Sequence, residues 1–241
     1  MPAHRIAITW LGHSAFHLQV PGGPGFVVDP WLDNPKAPSN AMALADSASI
    51  VLITHGHSDH IGGTAPLVKR TGATVLSSYE VTAELEADGV PSAQVIGANK
   101  GGAIVHGGLT VTLTQAFHSS SLIGADGRAR SVGDPCGLMI ELDNGLVIYD
   151  TGDTCVFGDM QLLAEIYRPQ VLMLPIGDFY TMGPRQAARA CELVQPDWII
   201  PHHYGTFPAL TGTPDALRAL LPAALRDRVL APRPGENIEV S

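Results

Sequence analysis

The sequence predicts a single domain, residues 1–241, of the α/β or α+β class, and three observations predict it. Short apolar or alternating runs recur along the whole chain, with the length and period of strands. Twenty-six Gly and 19 Pro punctuate them into tight turns. Helical spacing of apolar residues arrives late in each half. With 45% hydrophobic residues the chain can bury a sizeable core, and two packed sheets with helices outside would cover this many apolar strands.

Residues 5–11 alternate like a strand, which Gly12-His13-Ser14 breaks. Ala15 to Val20 reads as a second strand, residues 21–25 as a turn, and Phe26 to Val28 as a third strand ending at Asp29-Pro30. Asn34 to Asn40, with two prolines and no period, reads as a loop, and Ala41 to Ala45 as a short helix. The continuous run Ile50-Val51-Leu52-Ile53 is a buried strand, and a helix is expected through Leu67-Val68. Ala73 to Ser77 is a strand, Val81 to Asp88 a helix stopped by Gly89, and Val95-Ile96 and Ala103 to Val105 are short strands. Leu109 to Gln115 alternates as a longer strand, and a flexible insert is expected over 124–130. Gly137 to Leu142 and Leu146 to Tyr149 flank Asp143-Asn144-Gly145, and Asn-Gly between apolar runs signals a hairpin. Helices follow over Phe157 to Tyr167, from Gly183-Pro184 through Val194, and from Thr213-Pro214 to about Leu225, where Pro occupies the first helical position. Between and after them, Val171 to Leu174, Trp198 to Ile200, Val229-Leu230 and Ile238 to Val240 read as strands.

The densest chemistry is Thr54-His55-Gly56-His57-Ser58-Asp59-His60, an H-x-H-x-D-H cluster on a strand-to-helix loop, where α/β proteins place their chemistry. His55 and His57, two apart on extended backbone, point to one side. Asp59 and His60, on the turn beyond, can face a second point, so one loop could seat two neighbouring cations. His118, Asp153 and His203 each close a strand, and in a layered fold such ends gather on one rim.

This pattern resembles the signature of the metallo-β-lactamase superfamily of metal-dependent hydrolases. The resemblance implies an α+β, four-layer αββα sandwich. It also implies His55, His57 and His118 on one metal, Asp59, His60 and His203 on a second, and Asp153 bridging. The pattern P-x-H-Y selects His203 over His202, which is expected to face the other way. Imidazole and carboxylate suit Zn, Mn or Fe. Two divalent ions about 3.5–4 Å apart lower the pKa of a shared water, and the resulting hydroxide is a nucleophile. With two carboxylates and one hydroxide the cluster stays about one unit positive, which favours an anionic or carbonyl-bearing substrate. The expected activity is hydrolysis of a small ester, lactone or phosphoester.

Around that cluster, Asp29 is expected to accept the free N–H of a ligand histidine. His13 is read as a substrate contact or proton donor, and Asp59 doubles as a proton shuttle to the leaving group. Tyr180, Thr181 and Tyr204 are read as pocket residues and Asp178 as a further outer carboxylate. His4, His17 and His106 are read as surface or structural. Substrate specificity is expected in residues 32–42 and 119–135. Trp10-Leu11-Gly12-His13-Ser14, Leu174-Pro175-Ile176-Gly177-Asp178, Tyr180-Thr181-Met182-Gly183-Pro184 and His203 to Pro208 narrow the resemblance to a branch related to the ascorbate-phosphate lactonases. Asp150 and Cys155 depart from that branch's pattern.

Net charge is −9 with no Lys/Arg cluster, which disfavours a nucleic-acid partner. No long apolar run and no export signal is visible, so a cytoplasmic protein without a membrane span is expected. Cys136, Cys155 and Cys191, odd in number and scattered, argue against disulfides and read as small buried apolar residues. A homo-oligomer is compatible with all of this. Three other activities fit the same resemblance. A nuclease or phosphodiesterase would be marked by cleavage of structured RNA, and a mononuclear iron oxygenase by one iron per chain. A non-catalytic sensor would bind a ligand tightly without turning it over.

Overall fold

Alternation inside single strands decides the layering. In β4 (Ala48–Leu52) the side chains of Ile50 and Leu52 enter one apolar cluster, while Val51 and the following Ile53 enter another on the opposite face. A strand buried on both faces has to be sandwiched, because successive side chains point to opposite sides of the sheet. The computed structural model describes residues 5–241; His4 lies outside them.

Two sheets form the middle of the molecule. The first contains β1 (Ile6–Trp10), β2 (Phe16–Gln19), β3 (Gly25–Val28), β4, β5 (Thr74–Ser78) and β6 (Val95–Ala98). β1 to β3 are an antiparallel meander, and β3 to β6 run parallel. The second sheet contains β7 (Ala103–His106), β8 (Leu109–Gln115), β11 (Cys136–Leu142), β12 (Val147–Asp150), β13 (Val171–Pro175) and β14 (Trp198–His202), in the order β14-β13-β12-β11-β8-β7. β12, β13 and β14 are parallel, and the remainder is antiparallel. The final strand, β15 (Asn237–Val240), returns to pair with β1 at the edge of the first sheet.

Ile8, Phe16, Phe26 and Leu52 from the first sheet meet Val111, Leu138, Ile148 and Met173 from the second in one core. Outside the first sheet lie α1 (Ala41–Ala45), α3 (Thr64–Thr71) and α4 (Tyr79–Ala87), whose Ala41, Leu67, Val68, Val81 and Leu85 cover Val27, Val51 and Val75. Outside the second, α5 (Met160–Tyr167), α6 (Pro184–Val194), α7 (Pro214–Leu220) and α8 (Ala223–Arg226) cover Met139, Tyr149, Leu172 and Ile199. The result is the α+β, four-layer αββα sandwich.

Several boundaries differ from expectation, each for a local reason. The helix expected over Phe157 to Tyr167 begins at Met160, after Gly158, and Phe157 instead packs edge-on against Phe117. The helix expected from Thr213 to about Leu225 is two helices. Pro222 carries no N–H and forces Leu221 into extended backbone (ψ 144°), ending α7. At its other end Thr213 Oγ1 accepts the Ala216 N–H, 3.1 Å, as a cap. After the histidine loop a one-turn helix, α2 (Ser58–Ile61), precedes α3. The expected flexible insert is the turn of a two-stranded ribbon, β9 (Ser121–Ile123) with β10 (Ala129–Ser131). Val229-Leu230 contributes one bridge to Ile199 rather than a strand. Cys136 and Cys191 are buried as expected, but Cys155 is exposed.

Gly63, between α2 and α3, lies against the chain leaving β3: a Cβ there would overlap the Pro30 carbonyl oxygen. Its φ of −89° is ordinary, so the demand is for space alone. Gly63→Ala is expected to destabilise the fold by about 1–3 kcal/mol, the range for overpacking. Urea unfolding of the two proteins measures it, and an unchanged midpoint would count against this packing.

Candidate metal centre

Six chain segments end on one rim of the sandwich. They are the β1–β2 turn carrying His13, the end of β3 carrying Asp29, the loop after β4 with His55 to His60, and the segments after β8, β12 and β14 with His118, Asp153 and His203. His13, Asp29 and His203 have φ of 53°, 44° and 53°, a left-handed region uncommon for residues with a Cβ. Such backbone persists only where its surroundings hold it. Here the His13 carbonyl accepts both the His203 N–H (3.1 Å) and the Trp10 indole N–H (2.9 Å), tying the two sheets together at the rim.

Asp29 is the clamp of the histidine loop. Its carboxylate accepts the Thr54 N–H at 2.9 Å and the Thr54 hydroxyl at 2.7 Å, and it lies 2.6 Å from His60 Nδ1. With its proton committed to Asp29, the Thr54 hydroxyl accepts from His55 Nδ1 at 2.9 Å. Both rings are thereby held as Nδ1–H tautomers, with Nε2 turned toward the cluster. His55 Nε2 then faces His57 Nδ1 at 3.0 Å, and Ser119 Oγ stands 3.4 Å from His57 Nε2.

Asp153 is the hub. Its Oδ2 lies 3.0 Å from His203 Nε2, 3.3 Å from His60 Nε2 and 3.7 Å from His118 Nε2. Asp59 Oδ2 lies 3.8 Å from His203 Nε2, 3.9 Å from His60 Nε2 and 3.1 Å from His13 Nε2. Among the described residues, three sets have ligand atoms mutually within 4.8 Å: His55, His57 and His118; His55, His60 and Asp153; and His13, Asp59, His60 and His203.

The electrostatics fit cations. Burial keeps His55 well below the usual histidine range, aided by His60, and lowers His57 and His118. A neutral imidazole is the form that donates a lone pair to a metal. Burial opposes charge on His60, yet Asp153 and Asp29 outweigh it and lift its pKa well above the usual value. Burial likewise opposes charge on Asp153, and His203 and His60 outweigh it and hold the carboxyl well below its usual range. His60 Nε2 and Asp153 Oδ1 are buried without a hydrogen-bond partner, although such groups are nearly always paired. A bound cation would satisfy both.

The other sequence candidates separate. Tyr180 lines the cleft above the cluster. Thr181 does not line it; its hydroxyl turns to the Met182 carbonyl at 3.4 Å. Tyr204 stacks on Trp10, centroids 5.2 Å apart, and belongs to the cores. Asp178 is exposed and accepts the Phe179 N–H at 2.8 Å, so it reaches no ligand histidine. His13 is fully buried and does not line the cleft, so it is not placed as a substrate contact; its ring spans Asp59 and Thr206, whose Oγ1 is 2.9 Å from Nδ1. His202 faces inward, 3.2 Å from Ser14 Oγ and 3.7 Å from Asp150 Oδ1. His17 is structural, its Nε2 2.9 Å from Ser47 Oγ. Ser119 and Ile123, inside the segment 119–135 expected to set specificity, line the cleft, and so do Trp31 and Phe207, which sequence reasoning passed over. An aromatic beside each of two rim segments, after Asp29-Pro30 and after His203, was the available signal.

The family model for the β-lactamase superfamily domain matches residues 25–204, which contain the histidine loop and His203. The chain belongs to that superfamily. It is similar to a metal-dependent hydrolase of Herpetosiphon aurantiacus, 48% identical over 231 residues and 95% of each chain. Among solved structures it resembles Igni18, a novel metallo hydrolase from the hyperthermophilic archaeon Ignicoccus hospitalis, with TM-score 0.86 and 36% identity over 98% of this chain and 99% of that one. Isothiocyanate hydrolase from Delia radicum gut bacteria, at 22% identity and TM-score 0.76 over 96% and 98% of the two chains, shares the fold. The superfamily member described here is a metal-dependent hydrolase.

Asp29→Asn removes the charge that orients His60 while leaving every ligand atom in place. Metal affinity at the His60 position is expected to fall about 10–100-fold, as for other outer carboxylates. Titration against a chromophoric chelator measures it, and undiminished affinity would contradict the clamp.

Proposed function

We propose that this chain, acting as one domain, is a dinuclear metallohydrolase of small esters, lactones or phosphoesters. The observation that carries the reading is Asp153 Oδ2, which stands within 3.7 Å of imidazole nitrogens from both ligand groups. His55, His57 and His118 would hold one ion, Asp59, His60 and His203 the other, and Asp153 would be shared. The donor set suits Zn or Mn, and Fe also fits. When bound, such a pair lowers the pKa of a shared water and polarises the bond under attack.

The chain's own groups do the rest. Of the two candidate carboxylates Asp59 is the one open to the cleft, its side chain 26% exposed against 2% for Asp153, which suits it to carry a proton to the leaving group. Burial would raise its pKa, but the hydrogen bond with His13 and the nearby His60 outweigh it and keep the carboxylate ionised. His13, held from behind by Thr206, positions that carboxylate. The cleft of about 690 Å³ is of small-molecule size. No helix of the described residues is long and apolar enough to cross a membrane. Three free cysteines, one exposed, suit a reducing cytoplasm.

Dialysis against a chelator is expected to abolish hydrolysis across an ester, lactone and phosphodiester panel, and Zn or Mn to restore it, with two ions per chain by elemental analysis. Unchanged turnover by metal-free protein would sink the reading. Asp59→Asn is expected to lower kcat by about 10²–10⁴, the range for a general acid–base group. Asn keeps a donor oxygen at position 59, whereas His55→Ala deletes a donor outright, so His55→Ala should lose metal where Asp59→Asn retains it, which elemental analysis of the two variants distinguishes.

A further inference from the structure

The walls of the cleft differ sharply from its floor. The floor is the His and Asp cluster. Above it, Trp31 and Phe207 stack with centroids 5.9 Å apart and 27° between planes, and both are half-buried. Ile123, on the β9–β10 ribbon, and Tyr180 stand at the mouth, 66% and 56% exposed. Exposed apolar side chains gathered at one concave site mark a binding surface rather than scattered surface hydrophobics.

Among the described residues no Lys or Arg lines this cleft. Lys100, in a neighbouring depression, is engaged by Gln115 at 3.0 Å and Asp134 at 3.3 Å. Lys36 approaches Gly205 but is exposed and outside the lining. Arg130 of the ribbon is paired with Glu84. A phosphate ester entering here would have only the ions proposed for the floor to offset its charge, and two carboxylates already draw on them. Charge taken out of water against walls that offer no Lys or Arg gains no further partner there. An uncharged body, in contrast, gains by covering Trp31, Phe207 and Ile123.

We infer that the substrate is an uncharged carboxylic ester or lactone with an aromatic or alkyl body lying against Trp31, Phe207 and Ile123, and that phosphate esters are poor substrates. This rests on the hydrolase reading and narrows it. In the reaction the water oxygen bonds to the acyl carbon and the acyl C–O bond breaks. The alcohol oxygen leaves with one proton of the water, and the carboxylic acid releases the other.

The test uses the full chain reconstituted with Mn or Zn, and the matched probes phenyl butyrate, phenyl phosphate and diphenyl phosphate. Phenyl butyrate is expected to exceed both phosphates in kcat/KM by at least 100-fold. Phe207→Ala should raise its KM about tenfold while kcat stays within twofold. Ile123→Lys, at an exposed position where folding is not at stake, should shift kcat/KM about tenfold from phenyl butyrate toward the anionic ester monophenyl succinate. Equal or better turnover of either phosphate, or an unmoved KM in Phe207→Ala, overturns the inference. If no probe is hydrolysed, calorimetry with N-phenylbutanamide and its anionic analogue N-phenylsuccinamate separates the two readings. Tighter binding of the neutral amide, lost in Trp31→Ala, keeps the substrate class while the hydrolase reading fails alone. No binding, or tighter binding of the anion, overturns the substrate class itself.

Discussion

His60 sits between two buried carboxylates, with Nδ1 2.6 Å from Asp29 and Nε2 3.3 Å from Asp153. Much of the rim follows from that contact. Asp29 can be buried only because Thr54 and His60 satisfy it, and in doing so it pins the start of the histidine loop. Pinning Thr54 orients His55 through its hydroxyl, and His55 in turn faces His57. One carboxylate therefore sets the tautomers of two rings and the course of the loop between them. A buried charge left half-satisfied would be destabilising by several kcal/mol, so the arrangement is all-or-none rather than adjustable.

The sandwich supplies the rigidity that this contact needs. Both sheets are covered on both faces, and strands locked by packing on two sides carry the candidate ligands only at their ends. The main-chain bond from His203 to the His13 carbonyl then joins the rim across the sheets. Left-handed backbone at His13, Asp29 and His203 is the local consequence. These three residues lie where strands must turn sharply and still aim a side chain inward, and the surrounding hydrogen bonds offset that strain. Stability invested in the layers is what allows strained backbone at the site.

How much was legible follows the range of the signals. The two-residue alternation in β8 and the Asn-Gly turn are local signals, and both β8 and the hairpin of β11 with β12 stand where they put them. The run His-x-His-x-Asp-His is local too, and spacing alone places its side chains together. Pocket walls are different. Trp31 and Phe207 lie 176 positions apart, and nothing in either neighbourhood says that they stack. Tyr204, one residue after a candidate ligand, turns instead into the core against Trp10, because a side chain following a strand end has two faces to choose from and the aromatic finds a partner on one. Asp178 is exposed, and its carboxylate closes a turn on Phe179 rather than reaching the cluster. The helix break at Pro222 was written in the residue itself; helical spacing on either side concealed it.

The sequence by itself determined the ligand chemistry and the layered class. Residue type decides which atoms can hold a cation, and period decides which strands need cover on both faces. The tertiary structure alone decided that Asp153 stands between the two histidine groups, that His13 backs Asp59 rather than opening to the cleft, and that the walls are aromatic and, among the described residues, free of Lys and Arg. Those facts depend on distances between strand ends remote in sequence. Such distances are set by how two sheets pack face to face, which no local pattern encodes.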